Sequence, residues 1–324
     1  MTYAIQIDQF GGPEVLKWRE IELPSLRPGM ALIRQQAVGL NFIDTYHRSG
    51  LYPLDLPSGI GVEASGVVEA VADGVDTLVI GDRVAYVGVP PGAYAQQRVF
   101  TADRLVKIPH DISNETAAAA MLKGMTAWYL LRRSHPVQAG QHVLLYAAAG
   151  GVGLIAGQWA ASLDAHVIGV VSTDKKASLA LENGCEHIVR SDDPDFVPHV
   201  RELTGGTGVA AVYDSVGKDS FYQSLDCLCP HGMMVTYGNA SGAVEPFSPM
   251  ELARRGSLRL TRPVIFDFIR ERADLVAAAD ELFGLIQAGT ITINISRTYP
   301  LEEAAQAHID LEARKTTGSV VFTP

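Results

Sequence analysis

A run of small residues, Ala147-Ala148-Ala149-Gly150-Gly151-Val152-Gly153, separates an apolar strand pattern from an apolar helix pattern. Small residues let the backbone approach a phosphate closely, and the helix that follows points free N–H groups and a partial positive charge at it. Ala148 stands where the G-x-G-x-x-G fingerprint has its first glycine, and Gly150 and Gly153 take the other two places. Strand, turn and helix in this order predict a dinucleotide pyrophosphate site, and a tight turn without a ligand is the alternative.

The end of the second strand in such a unit distinguishes NAD from NADP, because in NAD-binding folds an acidic residue about 20 positions after the glycines holds the ribose 2′-hydroxyl. Here Ser172 stands at that place, and Lys175 and Lys176 follow it. A hydroxyl with nearby ammonium groups suits a 2′-phosphate and favours NADPH. Asp174 argues for NAD, although we expect it to cap the next helix. The lysines are alternatively a solvated helix face.

The elements around these residues alternate between strand and helix. Strands are predicted at His142–Ala147, Ala165–Val171 and Glu186–Val189, and helices at Val152–Leu163, Asp174–Asn183 and Pro194–Leu203. This alternation predicts a parallel sheet covered by helices. The first hundred residues instead contain short strand patterns separated by turns, and the chain ends with a helical pattern and a β-like tail. The fold class is therefore α/β, with a nucleotide-binding unit inserted between an N-terminal β-rich region and a C-terminal return.

The composition excludes several classes of protein. The 324 residues suggest about two domains, and 47% hydrophobic and 19% charged residues exclude a disordered chain. A net charge of −10 argues against nucleic acid or anionic lipid as a partner. Three cysteines and no recognisable signal peptide lead us to expect the cytoplasm. Residues 143–163 carry no formal charge, but their glycines favour a buried strand, turn and helix over a membrane span.

Further motifs carry a family resemblance. They lie at residues 41–53, 121–127, 213–217, 237–242 and 261–263, and the run 140–161 joins them across the glycine loop. Together they resemble the medium-chain dehydrogenase/reductase superfamily and, within it, the zinc-independent, zeta-crystallin-like quinone oxidoreductases. The resemblance covers essentially the whole chain. It departs from the family signature at Ala161, a helix position where a basic residue or Ser is usual.

The resemblance implies a GroES-like, β-rich catalytic domain over residues 1–123 and 264–324, and a Rossmann NADPH-binding domain over residues 124–263. The acceptor is then expected in the cleft between the domains, above the nicotinamide. Tyr46 and Tyr52 are the leading candidates for catalytic residues that contact the acceptor, because a phenol can stack on a ring and donate a proton or a hydrogen bond. Packing at the rim of the site is the alternative for each tyrosine.

The same resemblance implies which residues bind the cofactor. Asn41 would orient the nicotinamide, Thr126 would pack behind the ring or its ribose, and Arg314 would lie near the adenine phosphate end. An exposed surface position is the alternative for Arg314. The other implied cofactor-binding residues are Phe42, Asp44, Gly150, Gly151, Val152, Ser172, Lys176, Val216, Tyr237, Gly238, Ser241 and Gly242.

The superfamily also contains zinc alcohol dehydrogenases, whose Gly-His-Glu triplet reads Gly61-Val62-Glu63 here. By resemblance, the two other ligand positions, normally Cys, fall at about Asn41 and Lys123. Valine and ammonium cannot ligate zinc, which takes thiolate, imidazole or carboxylate, so no metal is expected. A nucleophile elbow and a P-loop are absent as well, which leaves hydride chemistry to the nicotinamide.

The sequence therefore predicts a zinc-independent, NADPH-dependent reductase of quinones or similar conjugated carbonyls. Two alternatives stay open: a reductase of activated alkenes such as enals, enones or 2-haloacrylate, and an NADPH-binding structural or RNA-binding protein, which the negative charge disfavours. We expect a homodimer, because the β-rich segment 256–261 should lie at one edge of the sheet and invite pairing with its two-fold copy. The alternative is a monomer in which this edge is kept from pairing by the charges of Arg254, Arg255 and Arg259.

Overall fold

The computed structural model describes all 324 residues. Contacts divide the chain into two compact units. The first unit contains Met1–Lys123, Ile269–Gln287 and Ile293–Pro324, and the second contains Gly124–Phe268 and Ala288–Thr292. The boundary that we placed at residue 263 lies at Phe268 in this division, and a short segment near residue 290 joins the second unit.

The N-terminal part is rich in strands, as its turn-punctuated sequence predicts. Its strands are β1 (Thr2–Ile7), β2 (Lys17–Ile21), β3 (Met30–Leu40), β4 (Ser58–Gly59), β5 (Glu63–Val71), β6 (Arg83–Val87), β7 (Gln97–Thr101) and β8 (Val106–Lys107). Its helices are α1 (Phe42–Ser49) and α2 (Asn114–Tyr129).

The middle of the chain alternates between strand and helix. Its strands are β9 (His142–Tyr146), β10 (His166–Val171), β11 (His187–Arg190), β12 (Val209–Asp214), β13 (Leu228–Thr236) and β14 (Arg259–Thr261). Its helices are α3 (Gly151–Ser162), α4 (Asp174–Leu181), α5 (Phe196–Leu203), α6 (Phe221–Cys227), α7 (Met250–Arg254) and α8 (Ile265–Phe268). The C-terminal part adds α9 (Arg272–Gln287), β15 (Ile295–Pro300), α10 (Ala304–Glu312) and β16 (Ser319–Thr323).

The first unit is built on a seven-stranded sheet in which β15, β16, β3, β5, β6 and β8 follow one another and β7 also pairs with β3. Only β15 and β16 run parallel in it. A separate three-stranded sheet has the order β2-β1-β4. The core between these elements includes Ile33, Val38, Tyr86, Tyr94 and Phe322, all fully buried. Gly66 in β5 admits no side chain, because a Cβ there would lie 2.3 Å from the carbonyl oxygen of Arg34.

The second unit is a six-stranded parallel sheet in the order β11-β10-β9-β12-β13-β14, which confirms the predicted fold class. The chain moves from β9 to β10 on one side, and β12 pairs with β9 on the other. Ligands bind at such a switch point, beside the carboxyl ends of the strands. The strand β14 lies at one edge of the sheet, as we predicted for this segment.

The predicted bounds are wrong by one or two residues at several ends. The third strand is shifted by one residue and includes Arg190, because Arg190 pairs with Val171 of β10. The helix expected from Pro194 begins at Phe196, since the side chain of Asp193 accepts from the backbone N–H of Asp195 and forms a turn before it. The uncharged run 143–163 is divided between β9 and α3, and none of the helices combines the length and the apolar character needed to cross a bilayer.

Candidate active site

The loop after β9 is a cradle of backbone atoms. Ala147 adopts a left-handed conformation with φ of 51°, and a Cβ at Gly153 would lie 2.3 Å from its carbonyl oxygen. A Cβ at Gly150 would lie 3.1 Å from the same oxygen. Gly150 is also the residue before α3 and has no side chain to cap the N–H groups of the first turn. These groups are therefore left for an anionic ligand, and the loop fits the pyrophosphate of a dinucleotide.

The end of β10 carries the predicted selectivity residues. Thr173, rather than Asp174, caps helix α4, because its hydroxyl accepts from the backbone N–H of Lys176 at 3.3 Å. Our capping role for Asp174 is therefore wrong. The carboxylate of Asp174 is almost fully exposed and accepts instead from Nη1 of Arg190 at 2.6 Å. Arg190 Nη2 also donates to the carbonyl oxygen of Ser172 at 2.8 Å, which adds a cation that the sequence interpretation missed.

A buried carboxylate organises the turn after β12. Asp214 Oδ1 accepts from the backbone N–H groups of Val216 and Gly217 at 2.7 and 3.1 Å. Its Oδ2 accepts from the hydroxyls of Ser220 and Ser224 at 2.7 and 2.8 Å. Asp214 is fully buried, so all of these bonds are shielded from water. The signal in the sequence was an acidic residue at the end of an apolar strand, and we did not use it.

The loop after β13 is bound to this turn. Ser241 donates its backbone N–H to the carbonyl oxygen of Val216 at 2.8 Å, and its hydroxyl donates to the same oxygen at 2.9 Å. A Cβ at Gly238 would lie 2.4 Å from the carbonyl oxygen of Ser215, so the two loops touch through their backbones. The structure thus brings five predicted cofactor-binding residues together at one edge of the sheet: Val216, Tyr237, Gly238, Ser241 and Gly242.

In the first unit, Glu63 is the centre of a buried polar cluster. Its Oε1 accepts from Asn41 Nδ2 at 2.7 Å and from Lys123 Nζ at 2.9 Å, and its Oε2 accepts from the backbone N–H of Leu122 at 2.6 Å. All three residues are 5% exposed or less. Gly39 leaves the space for this carboxylate, since a Cβ there would lie 2.1 Å from Oε1.

This cluster contains two of the three positions at which the resemblance places zinc ligands. They hold N–H donors that already bind a carboxylate, and the third position is the apolar Val62, which is fully buried. An ammonium and an isopropyl group offer no lone pair to zinc. The residues present therefore do not fit a catalytic zinc ion, and the ammonium of Lys123 supplies the positive charge beside Glu63.

A second buried chain of hydrogen bonds supports helix α1. Asp44 Oδ2 accepts from the backbone N–H of Asn41 and from the Tyr94 hydroxyl, both at 2.9 Å. The Tyr94 hydroxyl lies 3.1 Å from Nε2 of His308, and Nδ1 of His308 lies 3.0 Å from Nη1 of Arg48. A guanidinium only donates, so His308 accepts at Nδ1, carries its proton on Nε2 and donates to Tyr94. Every donor in the chain therefore points towards Asp44.

Burial favours the neutral forms of two titratable groups in this chain, Asp44 and His308. It raises the pKa of Asp44 to about 7 and lowers the pKa of His308 to about 3. Asp44 was expected to bind the cofactor, but its side chain is fully buried. Any part that it has in binding therefore acts through Asn41, whose backbone it holds.

Tyr46 and Tyr52 lie beside each other at the end of α1. Their ring centroids are 5.2 Å apart with the planes at 67°, and the backbone N–H of Tyr52 donates to the carbonyl oxygen of Tyr46 at 3.1 Å. Gly50 makes the turn possible with φ of 82°, and a Cβ there would lie 2.8 Å from the Phe10 ring. Both tyrosines are half-buried, so each keeps a surface for a ligand.

The remaining predicted residues are more dispersed. Phe42 begins α1, is about one-third exposed and lies 6.5 Å from the Tyr46 ring. Thr126 is buried in α2. Arg314 follows α10 on the surface in a left-handed conformation with φ of 57°.

A glycine-lined loop at the switch point of a parallel sheet, inserted in sequence between the segments of one β-rich unit, is typical of dinucleotide-dependent dehydrogenases and reductases. Comparison with known families agrees. Residues 27–110 match the alcohol dehydrogenase GroES-like domain, and residues 151–280 match the zinc-binding dehydrogenase family. The chain belongs to the quinone oxidoreductases of the medium-chain dehydrogenase/reductase superfamily, as its relatives show.

These relatives match over the full chain. A quinone oxidoreductase of Pseudomonas aeruginosa is 47% identical, with complete coverage of both chains. A 2-haloacrylate reductase of Burkholderia is 44% identical over 100% of this chain and 99% of its own. The crystal structure of Escherichia coli quinone oxidoreductase complexed with NADPH is 44% identical, superposes with a TM-score of 0.98 and covers 99% of this chain and 100% of that chain.

Proposed function

We propose that this protein reduces quinones to hydroquinones with NADPH and without zinc. The observation that carries the proposal is the pair of sites just described: a dinucleotide cradle in one unit, and a buried Lys123–Glu63–Asn41 cluster where zinc enzymes hold their metal. Full-length relatives named quinone oxidoreductase support the choice of acceptor.

NADPH is the cofactor that the residues fit. The first turn of α3 and the glycine loop suit its pyrophosphate, and Ser172 with Lys176 leaves no carboxylate at the strand end to select a free 2′-hydroxyl. The complex of the Escherichia coli relative with NADPH supports this assignment. When bound, NADPH supplies the hydride of the reaction.

Asn41 would position the nicotinamide. Its Nδ2 is committed to Glu63, and its backbone N–H is committed to Asp44. The amide therefore has one orientation, with its NH2 group on the carboxylate and the N-terminus of α1 held beside it by the capping box between Asn41 and Asp44. Lys123 keeps this arrangement electrically balanced. We assign Thr126 to packing behind the ring or its ribose and Arg314 to the adenine phosphate end, as the resemblance implies.

Tyr46 and Tyr52 would shape the acceptor site. A quinone that receives a hydride becomes a hydroquinone anion and needs one proton to complete the product. A tyrosine hydroxyl can donate a hydrogen bond to the oxygen on which negative charge develops. The proton itself is available from water, so we assign the two hydroxyls to orientation rather than to obligatory proton transfer.

A reductase of activated alkenes is the second candidate, and the 44% identical 2-haloacrylate reductase favours it. The two activities use the same cofactor and differ in whether the hydride reduces a quinone or adds to a conjugated carbon. NADPH oxidation with 1,4-benzoquinone, acrolein and 2-chloroacrylate, followed by product identification, separates them. Turnover of benzoquinone at least ten times faster than of either alkene would support our assignment. The reverse order would replace it with the alkene reductase.

We further propose a homodimer in which β14 of each copy pairs across a two-fold axis. The strand lies at a sheet edge with unpaired backbone groups on its outer side. Arg254 and Arg255 bind Glu251 and Asp226 of their own chain, so they do not project as isolated charges along that edge. Light scattering at micromolar concentration should give twice the chain mass. The cytoplasm remains our proposed compartment, because all three cysteines are free.

A further inference from the structure

Arg190 lies where the cofactor's adenine ribose is expected. It ends β11, and its backbone pairs with Val171, the last residue of β10. Its guanidinium reaches back across the sheet edge to the carbonyl oxygen of Ser172, the residue at which NAD-binding folds present an acid. The side chain is about one-third exposed, so one surface of the guanidinium is open to solvent.

The present partners of this guanidinium are easily displaced. Nη1 is 2.6 Å from Asp174, and Nε is 3.3 Å from Asp192. Both carboxylates are well exposed, with 98% and 71% of their side-chain surface accessible. Nε is buried and has no hydrogen bond of good geometry. Ion pairs with such exposed carboxylates contribute little, whereas a phosphate dianion forms two parallel bonds with a planar guanidinium.

We propose that Arg190 binds the 2′-phosphate of NADPH, and that Asp174 holds its guanidinium in place until the phosphate displaces the carboxylate. The inference rests on NADPH as the cofactor and adds a selectivity residue beside Lys176. The bond to Ser172 fixes the guanidinium at the ribose position, so little side-chain freedom is lost on binding. When no phosphate is bound, the Asp174 carboxylate pairs with the guanidinium of Arg190, so the positive charge at this sheet edge is not left unpaired.

The opposite reading assigns selectivity to Asp174. In that case the carboxylate would accept the free ribose hydroxyl of NADH, and Arg190 would serve only to orient it. The two readings differ in what Asp174→Asn does to a ligand with a free 2′-hydroxyl. The substitution should leave the binding of such a ligand unchanged in our proposal and should weaken it in the other.

The test is calorimetric titration of the full chain with 2′,5′-ADP and with 5′-AMP, two fragments that differ only in the 2′-phosphate. The variants are Arg190→Ala, Arg190→Lys, Asp174→Asn and the double variant Arg190→Ala/Asp174→Asn. Arg254→Ala is the matched control, because it removes an exposed arginine with an acidic partner at 3.1 Å elsewhere in the same unit.

We expect Arg190→Ala to weaken 2′,5′-ADP binding about 10-fold or more and to change 5′-AMP binding less than about 2-fold. Arg190→Lys should fall between this variant and the wild type, because an ammonium keeps the charge and loses the planar fork. Asp174→Asn should tighten 2′,5′-ADP about 2- to 5-fold, and by less in the double variant, which lacks Arg190. Arg254→Ala should match the wild type with both ligands.

Wild-type affinity of Arg190→Ala for 2′,5′-ADP would overturn the proposal, as would an equal loss of both ligands or weaker 2′,5′-ADP binding by Asp174→Asn. If Arg190→Ala does not fold, the affinities of Arg190→Lys and Asp174→Asn for 2′,5′-ADP still test the proposal. The failure of NADPH as cofactor looks different, because the wild type itself would then bind both fragments equally. If the wild type and Arg190→Ala prefer 2′,5′-ADP over 5′-AMP by the same factor, the proposal is wrong and the 2′-phosphate is assigned to Lys176.

Discussion

The glycine loop after β9 and the cluster around Glu63 are both polar sites, but they are built in opposite ways. The loop uses backbone groups and works because side chains are absent at Gly150 and Gly153. The cluster uses three buried side chains whose charges and hydrogen bonds must balance. The first is therefore damaged by adding atoms and the second by removing them.

The largest effect should come from removing the centre of the cluster. Glu63→Ala leaves the Lys123 ammonium buried without its carboxylate, which should lower the free energy of unfolding by about 3–5 kcal/mol in urea titrations. Glu69→Ala is the control, because Glu69 pairs with Arg34 at 2.7 Å on a half-exposed surface and should cost about 1 kcal/mol or less. Equal losses in the two variants would mean that the buried pair contributes no more than a surface one.

Adding one carbon to the loop should come next. A Cβ at Gly153 would overlap the carbonyl oxygen of Ala147, so Gly153→Ala should weaken NADPH binding about 10- to 100-fold in fluorescence titrations. Gly284→Ala is the matched control, because a Cβ at this helical glycine meets no atom within 4 Å. Unchanged NADPH affinity in Gly153→Ala would separate the loop from the cofactor.

The buried histidine predicts a pH dependence. The pKa of His308 is lowered to about 3 in the folded chain, below its unfolded value of about 6.5. Its stabilisation is therefore complete above pH 6.5 and is lost as the pH falls towards 3. Between pH 7 and pH 5 the loss from this group alone should be about 2 kcal/mol; the raised pKa of Asp44 acts in the opposite direction, so the contribution of His308 is read as the difference between the variant and the wild type.

His308→Gln should reduce that loss, measured as the change in urea stability between the two pH values, even if it lowers stability at both. His110→Gln, at an exposed position, should leave the pH-dependent loss as it is in the wild type. A His308→Gln protein that loses as much stability as the wild type on acidification would place the source of the loss elsewhere.

The tyrosines should show a smaller effect. If Tyr46 and Tyr52 orient the quinone, each Tyr→Phe variant should lower the hydride-transfer rate less than about 10-fold in stopped-flow experiments. Tyr52→Ala should raise KM for quinone and leave NADPH affinity unchanged, because it removes the ring as well as the hydroxyl. A loss of about 100-fold or more in either Phe variant would instead identify an essential proton donor. Wild-type kinetics in both Ala variants would remove the tyrosines from the acceptor site.

Metal removal should have no effect. Because the ligand positions hold Asn41, Val62 and Lys123, elemental analysis of protein purified without added metal should find far less than one zinc per chain, and chelators should not change turnover. A stoichiometric metal that chelators remove together with activity would contradict the description of the cluster as a self-contained ion pair.

The same contrast explains how much could be predicted from sequence. The cofactor loop depends on local backbone patterns, so the order of strand, glycine turn and helix predicted it before any side chain was placed. The cofactor-binding role of the turn at Val216 and of the loop at Ser241 could be predicted only from the family resemblance. Its organising carboxylate, Asp214, was missed, since the hydroxyls of Ser220 and Ser224 reach it only when α6 folds against β12.

Partners that are distant in sequence were the hardest to predict. Asn41 and Lys123 were noticed only as positions without zinc ligands and Glu63 only as part of the altered triplet, and nothing local indicates that the three meet. Arg190 follows Ser172 by a whole helix and a strand, and only the parallel pairing of β10 with β11 brings it to Ser172. A cationic residue at the end of the third strand was the available signal.

The position of β16 has a consequence for biosynthesis. This strand lies between β15 and β3 in the seven-stranded sheet, although it follows all the other strands of that sheet in sequence. The second unit is almost continuous in sequence and can fold while the ribosome is still translating the C-terminal part. The C-terminal end of β3, residues 38–40, must wait with one edge unpaired until residues 320–322 arrive, whereas residues 30–34 of β3 already pair with β7. During that interval the nascent chain presents an apolar strand edge, so this edge is where chaperones are needed and where aggregation would begin.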